Sequence, residues 1–382
     1  MSHTEWSRKA LPAMLDDLRR IVELETHSYD KPMLDQGLDT IRTWVFDRLG
    51  APDTEARHID AVRGDVLELS YAGTVPGTVL LASHYDTVWP TGTLAEWPYT
   101  DEDGRITGPG AFDMKLGLVQ SVWALRGLRE LGLPHPSVKF LFNGDEEIGS
   151  PHSRPYIEAA SEGTLATLVF EASLDGKLKT ARKGVGLFDV TATGVEAHAG
   201  LDPDAGASAI HVLAEVVGRL AAAGSREHGT TVNVGTISGG TGRNVTAGKA
   251  VCGVDVRVAE PSEMDRIDAV FAGLEAADPR VTVSVEGEWN RPPMTPNDPS
   301  RALFAMARKV AADEGWELEE TAVGGASDGN FVSALGRPVL DGLGAVGGGA
   351  HARDEHVLAA HIPERTALAI GLITALAGQA PA

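Results

Sequence analysis

Histidine and carboxylate side chains occur in five short segments of this chain, each beside a predicted strand or helix. They are His84 with Asp86, Asp113, Glu146 with Glu147, Glu171, and His351. Taken singly, such residues are more often surface or core residues than metal ligands. Together they supply mixed imidazole and carboxylate ligands, which suit zinc at about 2.0–2.2 Å. Two histidines and three carboxylates are enough for two metal ions if one carboxylate bridges them.

The elements that would position these residues alternate between strands and helices. Short apolar runs predict strands, and apolar residues at helical spacing predict helices. We predict strands at residues 78–83, 138–142, 165–170 and 338–341, and helices at 11–22, 34–49, 116–131, 301–314 and 364–377. This alternation predicts an α/β fold with a mainly parallel sheet and helices on both faces. Ligands of such sheets bind beyond the carboxyl ends of the strands, where the segments above are expected.

The pattern changes in the middle of the chain, between residues 182 and 293. Here we predict a strand at 186–193, a helix at 207–221, strands at 231–237 and 250–258, a helix from an N-cap at Ser262 to Ala277, and a strand at 281–285. The order β-α-β-β-α-β is that of a ferredoxin-like, split βαβ domain. The sequence therefore predicts a catalytic domain formed by residues 1–181 and 294–382, interrupted by an inserted domain at 182–293.

Composition limits the partners and the location of the protein. Acidic residues outnumber basic ones by 54 to 33, giving a formal charge of −21, which argues against nucleic acid or an anionic membrane as a partner. No apolar run approaches transmembrane length, and the polar N-terminus does not have the pattern of a signal peptide. The single cysteine, Cys252, excludes both a thiolate zinc site and an intrachain disulfide. We therefore expect a cytoplasmic protein.

The five segments resemble the motif set of the co-catalytic zinc metallopeptidases. The resemblance is carried by residues 84–90, 108–117, 145–150 and 349–351 and by Glu171, and it spans nearly the whole chain. That family includes glutamate carboxypeptidase, aminoacylase, acetylornithine deacetylase and succinyl-diaminopimelate desuccinylase. Residues 86–94 are most similar to the glutamate carboxypeptidase branch.

The resemblance implies two zinc ions per subunit, with cobalt or manganese as substitutes. His84 would bind one ion, and Asp113 would bridge both through a segment whose next peptide bond is cis. Glu147 and His351 would complete one ion and Glu171 the other. Asp86 would lie behind His84 and fix its tautomer, since ligating histidines usually donate their second N–H to such a partner.

Further matching residues imply catalytic and binding roles. Glu146 would be the general base that activates the water shared by the metals. Adjacent residues of a strand point to opposite faces, so Glu146 and its neighbour are predicted to sit in a turn. His198 would reach the site of a partner subunit and hold the substrate carbonyl oxygen, which implies a homodimer formed through the inserted domain. Asn244 would bind substrate in the same way, and Arg291 would grip a terminal carboxylate with two hydrogen bonds.

Three functions are compatible with these residues. The leading hypothesis is a hydrolase that releases a C-terminal amino acid, with glutamate as a candidate, from a peptide or N-acyl conjugate. The alternative is an N-acyl-amino-acid amidohydrolase, like an aminoacylase or deacetylase, that uses the same metals and base. The third, remote hypothesis is a non-catalytic metal- or ligand-binding protein, which would have no need of Glu146.

Overall fold

The computed structural model describes residues 1–379. Its helices are α1 (His3–Val22), α2 (Lys31–Leu49), α3 (Thr93–Glu96), α4 (Leu116–Glu130), α5 (Arg154–Ala160), α6 (Ala209–Ala222), α7 (Pro261–Ala272), α8 (Asp298–Asp313), α9 (Gly329–Ala334) and α10 (Ile362–Leu376). Its strands are β1 (Thr54–His58), β2 (Val66–Tyr71), β3 (Thr78–His84), β4 (Thr100–Glu102), β5 (Arg105–Thr107), β6 (Ser137–Asn143), β7 (Ala166–Val169), β8 (Leu178–Arg182), β9 (Gly184–Thr193), β10 (Thr231–Gly239), β11 (Lys249–Val258), β12 (Thr282–Arg291), β13 (Glu320–Val323), β14 (Val339–Leu340), β15 (Gly347–Gly348) and β16 (His356–Leu358).

The central sheet has the strand order β1-β2-β6-β3-β7-β14. Strands β6, β3, β7 and β14 are parallel to one another, which confirms the predicted α/β fold with a mainly parallel sheet. Strands β1 and β2 add an antiparallel edge that the sequence analysis did not predict. Because β1 is exposed or half-buried along its length, it lacks the apolar run by which the other strands were recognised.

Helices pack against one another and cover the central sheet. Helix α10 contacts α1, α4 and α8, and nearly every residue of α4 and α10 is buried. Strand β3 is buried from Val79 to His84. A polar side chain can occupy the end of such a strand only where it finds partners, and that is the position of His84.

A second, small sheet has the order β15-β16-β5-β4. It pairs residues Arg105–Thr107 with His356–Leu358, which are far apart in the sequence. The loop after β5 leads to Asp113, and the loop after β15 carries His351. This sheet, which the sequence analysis missed, therefore brings two predicted ligand segments together.

Two compact units make up the chain. The first consists of Met1–Ala181, Pro296–Val323 and the chain from Ser327 onward, and the second of Arg182–Thr295 with Gly324–Ala326. The second unit contains, in chain order, β9, α6, β10, β11, α7 and β12, and its antiparallel sheet has the order β10-β11-β9-β12. Cys252 is buried in β11, and burial raises the pKa of its thiol.

Several element ends in the second unit differ from the prediction. Ser262 is not an N-cap: α7 begins at Pro261 after Glu260, and it ends at Ala272. Proline at the first helical turn has the fixed φ that a helix needs, which moves the start upstream of the serine. Strand β12 runs to Arg291 rather than ending at residue 285, so Arg291 is the last residue of a strand. Within residues 1–379, no helix is both long and apolar enough to cross a bilayer.

Candidate metal centre

Three neighbouring parallel strands bring ligand-type side chains to one edge of the central sheet. His84 is the last residue of β3, Glu146 and Glu147 occupy a 3₁₀ turn after β6, and Glu171 follows β7. Strand β3 lies between β6 and β7, so the carboxyl ends of all three strands meet there. The turn confirms the expectation that both glutamates leave the extended conformation.

Asp113 and His351 approach the same edge on loops. Asp113 lies in an irregular turn, Ala111–Lys115, and its peptide bond to Met114 is cis, as the resemblance implied. His351 has a φ of +61°, which is uncommon for a residue other than glycine and is often found at functional sites. Gly117, at the start of α4, packs so closely that a Cβ there would lie 1.8 Å from the carbonyl oxygen of Phe170. This contact holds the helix that follows Asp113 against the residue that precedes Glu171.

The two oxygens of Asp113 face two different histidines. Oδ1 lies 3.3 Å from Nε2 of His84, and Oδ2 lies 3.5 Å from Nε2 of His351. The same nitrogen of His84 is 3.4 Å from Oε1 of Glu171, and that of His351 is 3.0 Å from Oε2 of Glu147. Tetrahedral ligand atoms at 2.0–2.2 Å from zinc lie about 3.3–3.6 Å apart. Three of the four distances lie in this range and the one between His351 and Glu147 is shorter, so the residues could hold two metal ions, one on each side of Asp113.

Asp86 anchors the site from behind. Its Oδ1 and Oδ2 accept the backbone N–H groups of Glu146 and Glu147, each at 3.2 Å, and Oδ2 accepts the hydroxyl of Ser28 at 2.8 Å. Nδ1 of His84 lies 3.0 Å from the backbone oxygen of Asp86 and 3.4 Å from its Oδ1. With Nδ1–H donated to that backbone oxygen, Nε2 of His84 is left as the ligating nitrogen. Asp86 thus orients both the histidine and the turn that carries the two glutamates.

Protonation in this cluster follows from burial and from the close carboxylates. Burial alone would lower the pKa of His84, but hydrogen bonds to carboxylates, led by Asp113, raise it well above its usual value. Hydrogen bonds to Asp113 and Glu147 raise the pKa of His351 to about 11. Burial, with repulsion from Asp113, raises the pKa of Glu147 to about 7. The histidines hold the pKa of Asp113 below its usual value, against the effect of burial. Without metal, these shifts favour protons on the ring nitrogens of His84 and His351 that a metal ion would bind.

Glu146 lies inside the cluster as well. A carboxylate oxygen of Glu146, a ring nitrogen of His84 and a carboxylate oxygen of Glu171 lie within 4.8 Å of one another, as do ligand atoms of His84, Asp113 and Glu147. Glu146 is only 9% exposed. Its position suits a base that receives a proton beside the metals, and it also permits direct ligation.

The remaining predicted site residues lie in the second unit. His198 is exposed, and its Nδ1 accepts the backbone N–H groups of Gly200 and Leu201 at 3.2 and 3.0 Å. Asn244 is exposed and accepts the N–H of Ala199 through its backbone oxygen at 2.9 Å. The segments of His198 and Asn244 are therefore neighbours. Arg291, at the end of β12, is 6% exposed.

Two buried residues beside the cluster were missed by the sequence analysis. Ser28, in the segment between α1 and α2, bonds to Asp86, and nothing in its surroundings in the sequence indicates that contact. Glu355 is fully buried behind Asp113 and accepts its backbone N–H. Glu355 directly precedes β16, and nothing in its surroundings in the sequence indicates its contact with the loop of Asp113.

Comparisons with known proteins agree with this geometry. Residues 80–375 match the model of peptidase family M20/M25/M40. Carboxypeptidase G2 of Pseudomonas sp. (strain RS-16) is 28% identical over 95% of this chain and 89% of its own. Succinyl-diaminopimelate desuccinylase of Paraburkholderia xenovorans is 30% identical over 76% of this chain and 80% of its own. The crystal structure of aminopeptidase PepT from Bacillus cereus superposes with a TM-score of 0.78 at 20% identity, covering 96% of this chain and 99% of that one.

Proposed function

Because the chain belongs to peptidase family M20/M25/M40, we propose that it is a dinuclear zinc hydrolase that releases a C-terminal amino acid from a peptide or N-acyl conjugate. Membership makes the chain a metal-dependent hydrolase of peptide or amide bonds. The choice of zinc, the presence of two ions and the free carboxylate beside the cleaved bond are the proposed parts. Cobalt and manganese are the proposed substitutes for zinc.

The observation that carries this proposal is the position of Asp113 between two histidines. Its two oxygens face His84 and His351 at 3.3 and 3.5 Å, and each histidine has a further carboxylate, Glu171 or Glu147, within 3.4 Å. A single metal position would leave one histidine–carboxylate pair unused. Two positions that share Asp113 use all five residues, which supports a bridged pair of ions.

Glu146 supplies the proton chemistry in this proposal. When bound, a pair of metal ions would supply Lewis-acid chemistry, which activates a water molecule and the substrate carbonyl. The carboxylate of Glu146 accepts a proton from the attacking water and returns it to the leaving amine nitrogen. The N–H bonds from the glutamate turn to Asp86 hold Glu146 in place for both transfers.

Arg291 is proposed to bind the carboxylate of the substrate. A requirement for this carboxylate would distinguish the leading function from its alternative. A guanidinium at the end of a strand presents two parallel donors to a carboxylate. Asn244 would add a hydrogen bond from the same unit. An N-acyl-amino-acid amidohydrolase remains the second candidate, favoured by the 30% identity to a desuccinylase. Such an enzyme would recognise the acyl group of its substrate rather than a particular released amino acid.

His198 would hold the carbonyl oxygen in the site of a partner subunit. Because its Nδ1 accepts two backbone N–H groups, the proton of the neutral ring lies on Nε2, which makes that atom a donor. Such a donor strengthens its bond as negative charge grows on the oxygen. The proposed homodimer is supported by strand β10, which lies at a sheet edge and exposes 61% of Ile237 beside the 42% exposed Ile210 of α6. Open apolar edges of this kind favour pairing with another chain.

The first experiment measures metal content and hydrolysis on one purified sample. We expect about two zinc ions per chain and chelator-sensitive release of the C-terminal residue from a panel of peptidyl and N-acyl amino acids. Activity that depends on one acyl group with many released amino acids would select the amidohydrolase. No bound metal, and no rescue by added zinc or cobalt, would refute the proposal and favour a binding protein.

The homodimer is tested separately. Ile237→Lys is expected to give monomers in sedimentation velocity and to lose activity, because the partner's imidazole is then absent. His198→Asn is the matched variant: it should lose activity and remain dimeric. A fully active monomer would contradict the role of His198 across the interface.

A further inference from the structure

Glu355 is a buried carboxylate whose two oxygens are both occupied by N–H donors. Oε1 accepts the backbone N–H groups of Phe112 and Asp113 at 2.9 and 3.1 Å. Oε2 accepts the indole N–H of Trp89 at 2.8 Å and the backbone N–H of Gly110 at 3.2 Å. Glu355 itself is fully buried. A charge removed from water is tolerated only with such partners. The burial of this carboxylate therefore depends on the conformation of the surrounding loop, and the loop is held in that conformation by the carboxylate.

Glu355 also lies where three ligand segments meet. It directly precedes β16, which pairs with β5 and β15, and these strands lead to the loops of Asp113 and His351. Gly349 lies so close that a Cβ there would be 2.7 Å from the nitrogen of Glu355. Trp89, the indole donor, follows His84 on the loop that leaves β3.

We propose that Glu355 is a positioning residue of the metal centre, which fixes the turn of Asp113 so that its two oxygens stay aimed at His84 and His351. The inference rests on the proposed metal site. Because both oxygens of Glu355 are held by N–H groups, it acts through Asp113 and is not itself a ligand. Outer partners of metal ligands typically contribute 10–100-fold to metal affinity or activity.

The argument follows from the geometry of the bridge. A bridging carboxylate must present two oxygens to two ions at once, so a small rotation of its backbone misplaces both bonds. The backbone N–H of Asp113 is one of the bonds to Glu355, and that of Phe112 is the preceding one. These bonds restrict rotation of the backbone of Asp113, while the proposed metal ions would restrict only its side chain. A glutamate that served only the packing of the small sheet would have no effect on metal affinity once the protein is folded.

The test compares Glu355→Gln with Glu102→Gln in the full-length protein. The amide of Gln turns one acceptor oxygen into a donor that faces two N–H groups. Glu102 lies on β4 of the same sheet and is exposed, so its variant controls for the loss of charge. Zinc affinity is measured by competition with a chromophoric chelator, the ligand geometry by the absorption spectrum of the cobalt form, and the stability of the metal-free protein by thermal unfolding.

We expect zinc to bind at least 10-fold more weakly to Glu355→Gln, with an altered cobalt spectrum and with activity that excess zinc restores. Glu102→Gln should match the native protein. Native affinity and a native cobalt spectrum in Glu355→Gln would overturn the positioning role. If that variant does not fold, Trp89→Phe decides, since it removes one bond: weaker zinc binding supports the role, and native binding overturns it. A native chain that takes up no metal would instead refute the metal centre, and this inference with it.

Discussion

Replacing Gly117 by alanine is expected to weaken the first unit and its metal site together. The added Cβ would lie 1.8 Å from the oxygen of Phe170 and 2.9 Å from its carbonyl carbon. Both are backbone atoms at the end of β7, so no side chain can swing away. Ordinary van der Waals contact begins at 3.4 Å, so α4 and the strand end must separate by about 1.6 Å (3.4 − 1.8). Glu171, the next residue, must move with them.

Two opposing effects set the size of this change. Alanine is more favourable than glycine inside a helix by about 1 kcal/mol. Overpacking a rigid contact costs about 1–3 kcal/mol, and a clash with backbone belongs at the upper end of that range. The net loss is therefore about 1–2 kcal/mol. At roughly 2–4 °C per kcal/mol for a unit of this size, Tm should fall by about 2–8 °C.

The assay is thermal unfolding of the metal-free protein, followed by zinc titration of the folded variant. Gly218→Ala is the matched control, because Gly218 is an exposed residue inside α6 with nothing within 4 Å of an added Cβ. It should stabilise its unit by about 0.5–1 kcal/mol. The reasoning is refuted if Gly117→Ala is as stable as the native protein and binds zinc with native affinity. Zinc affinity should fall in Gly117→Ala alone, because only that variant displaces Glu171.

Three further predictions concern protons and charges. Glu146→Gln should lower kcat by about 10²–10⁴ and keep its metals by elemental analysis; loss of the metals would make Glu146 a ligand. The raised pKa values of His84 and His351 favour protonated rings before metal binds, and Glu147, with a pKa of about 7, is partly protonated at pH 7. Metal uptake should therefore release about two to three protons per chain, and fewer from His351→Asn, as measured by calorimetry in buffers of different ionisation enthalpy. Hydrogen bonds with Arg266 lower the pKa of Glu263 to about 2 from its ordinary value of 4.5. The ionised carboxylate therefore stabilises the fold above pH 4.5, and this stabilisation is lost as the pH falls toward 2. Glu263→Gln should lower the free energy of unfolding by about 1–3 kcal/mol at pH 7 and by little at pH 2, as measured by hydrogen exchange in α7.

The sequence was sufficient to predict the strands that consist of continuous apolar runs. Strands β3, β6 and β7 are buried runs whose ends carry His84, the glutamate turn and Glu171, so the rule for parallel sheets placed these residues at one edge. Strand β1 was not predicted because charged residues such as Glu55 and Arg57 give it no apolar run. Its pairing is set by the neighbouring β2, which is tertiary information.

The sequence analysis identified the candidate ligands and the candidate base of the site. It did not identify the residues that position them. Residue type and position identified the candidate ligands, and the family resemblance alone assigned a role to each of them and to Glu146; these roles stay predictions. Glu355 was missed because its partners are mainly backbone N–H groups, which leave no pattern in the sequence. Ser28 was missed since its contact with Asp86 depends on how two distant loops fold together.

The small sheet of β4, β5, β15 and β16 also constrains the order in which parts of the chain can fold. It joins Arg105–Thr107 to His356–Leu358, which the ribosome makes much later. Segments can fold on the ribosome as they emerge, and the second unit is complete, apart from Gly324–Ala326, by Thr295. His351 and Glu355 appear only afterwards. A nascent chain can therefore fold most of its second unit before the small sheet forms, and with it the proposed site around Asp113 and His351.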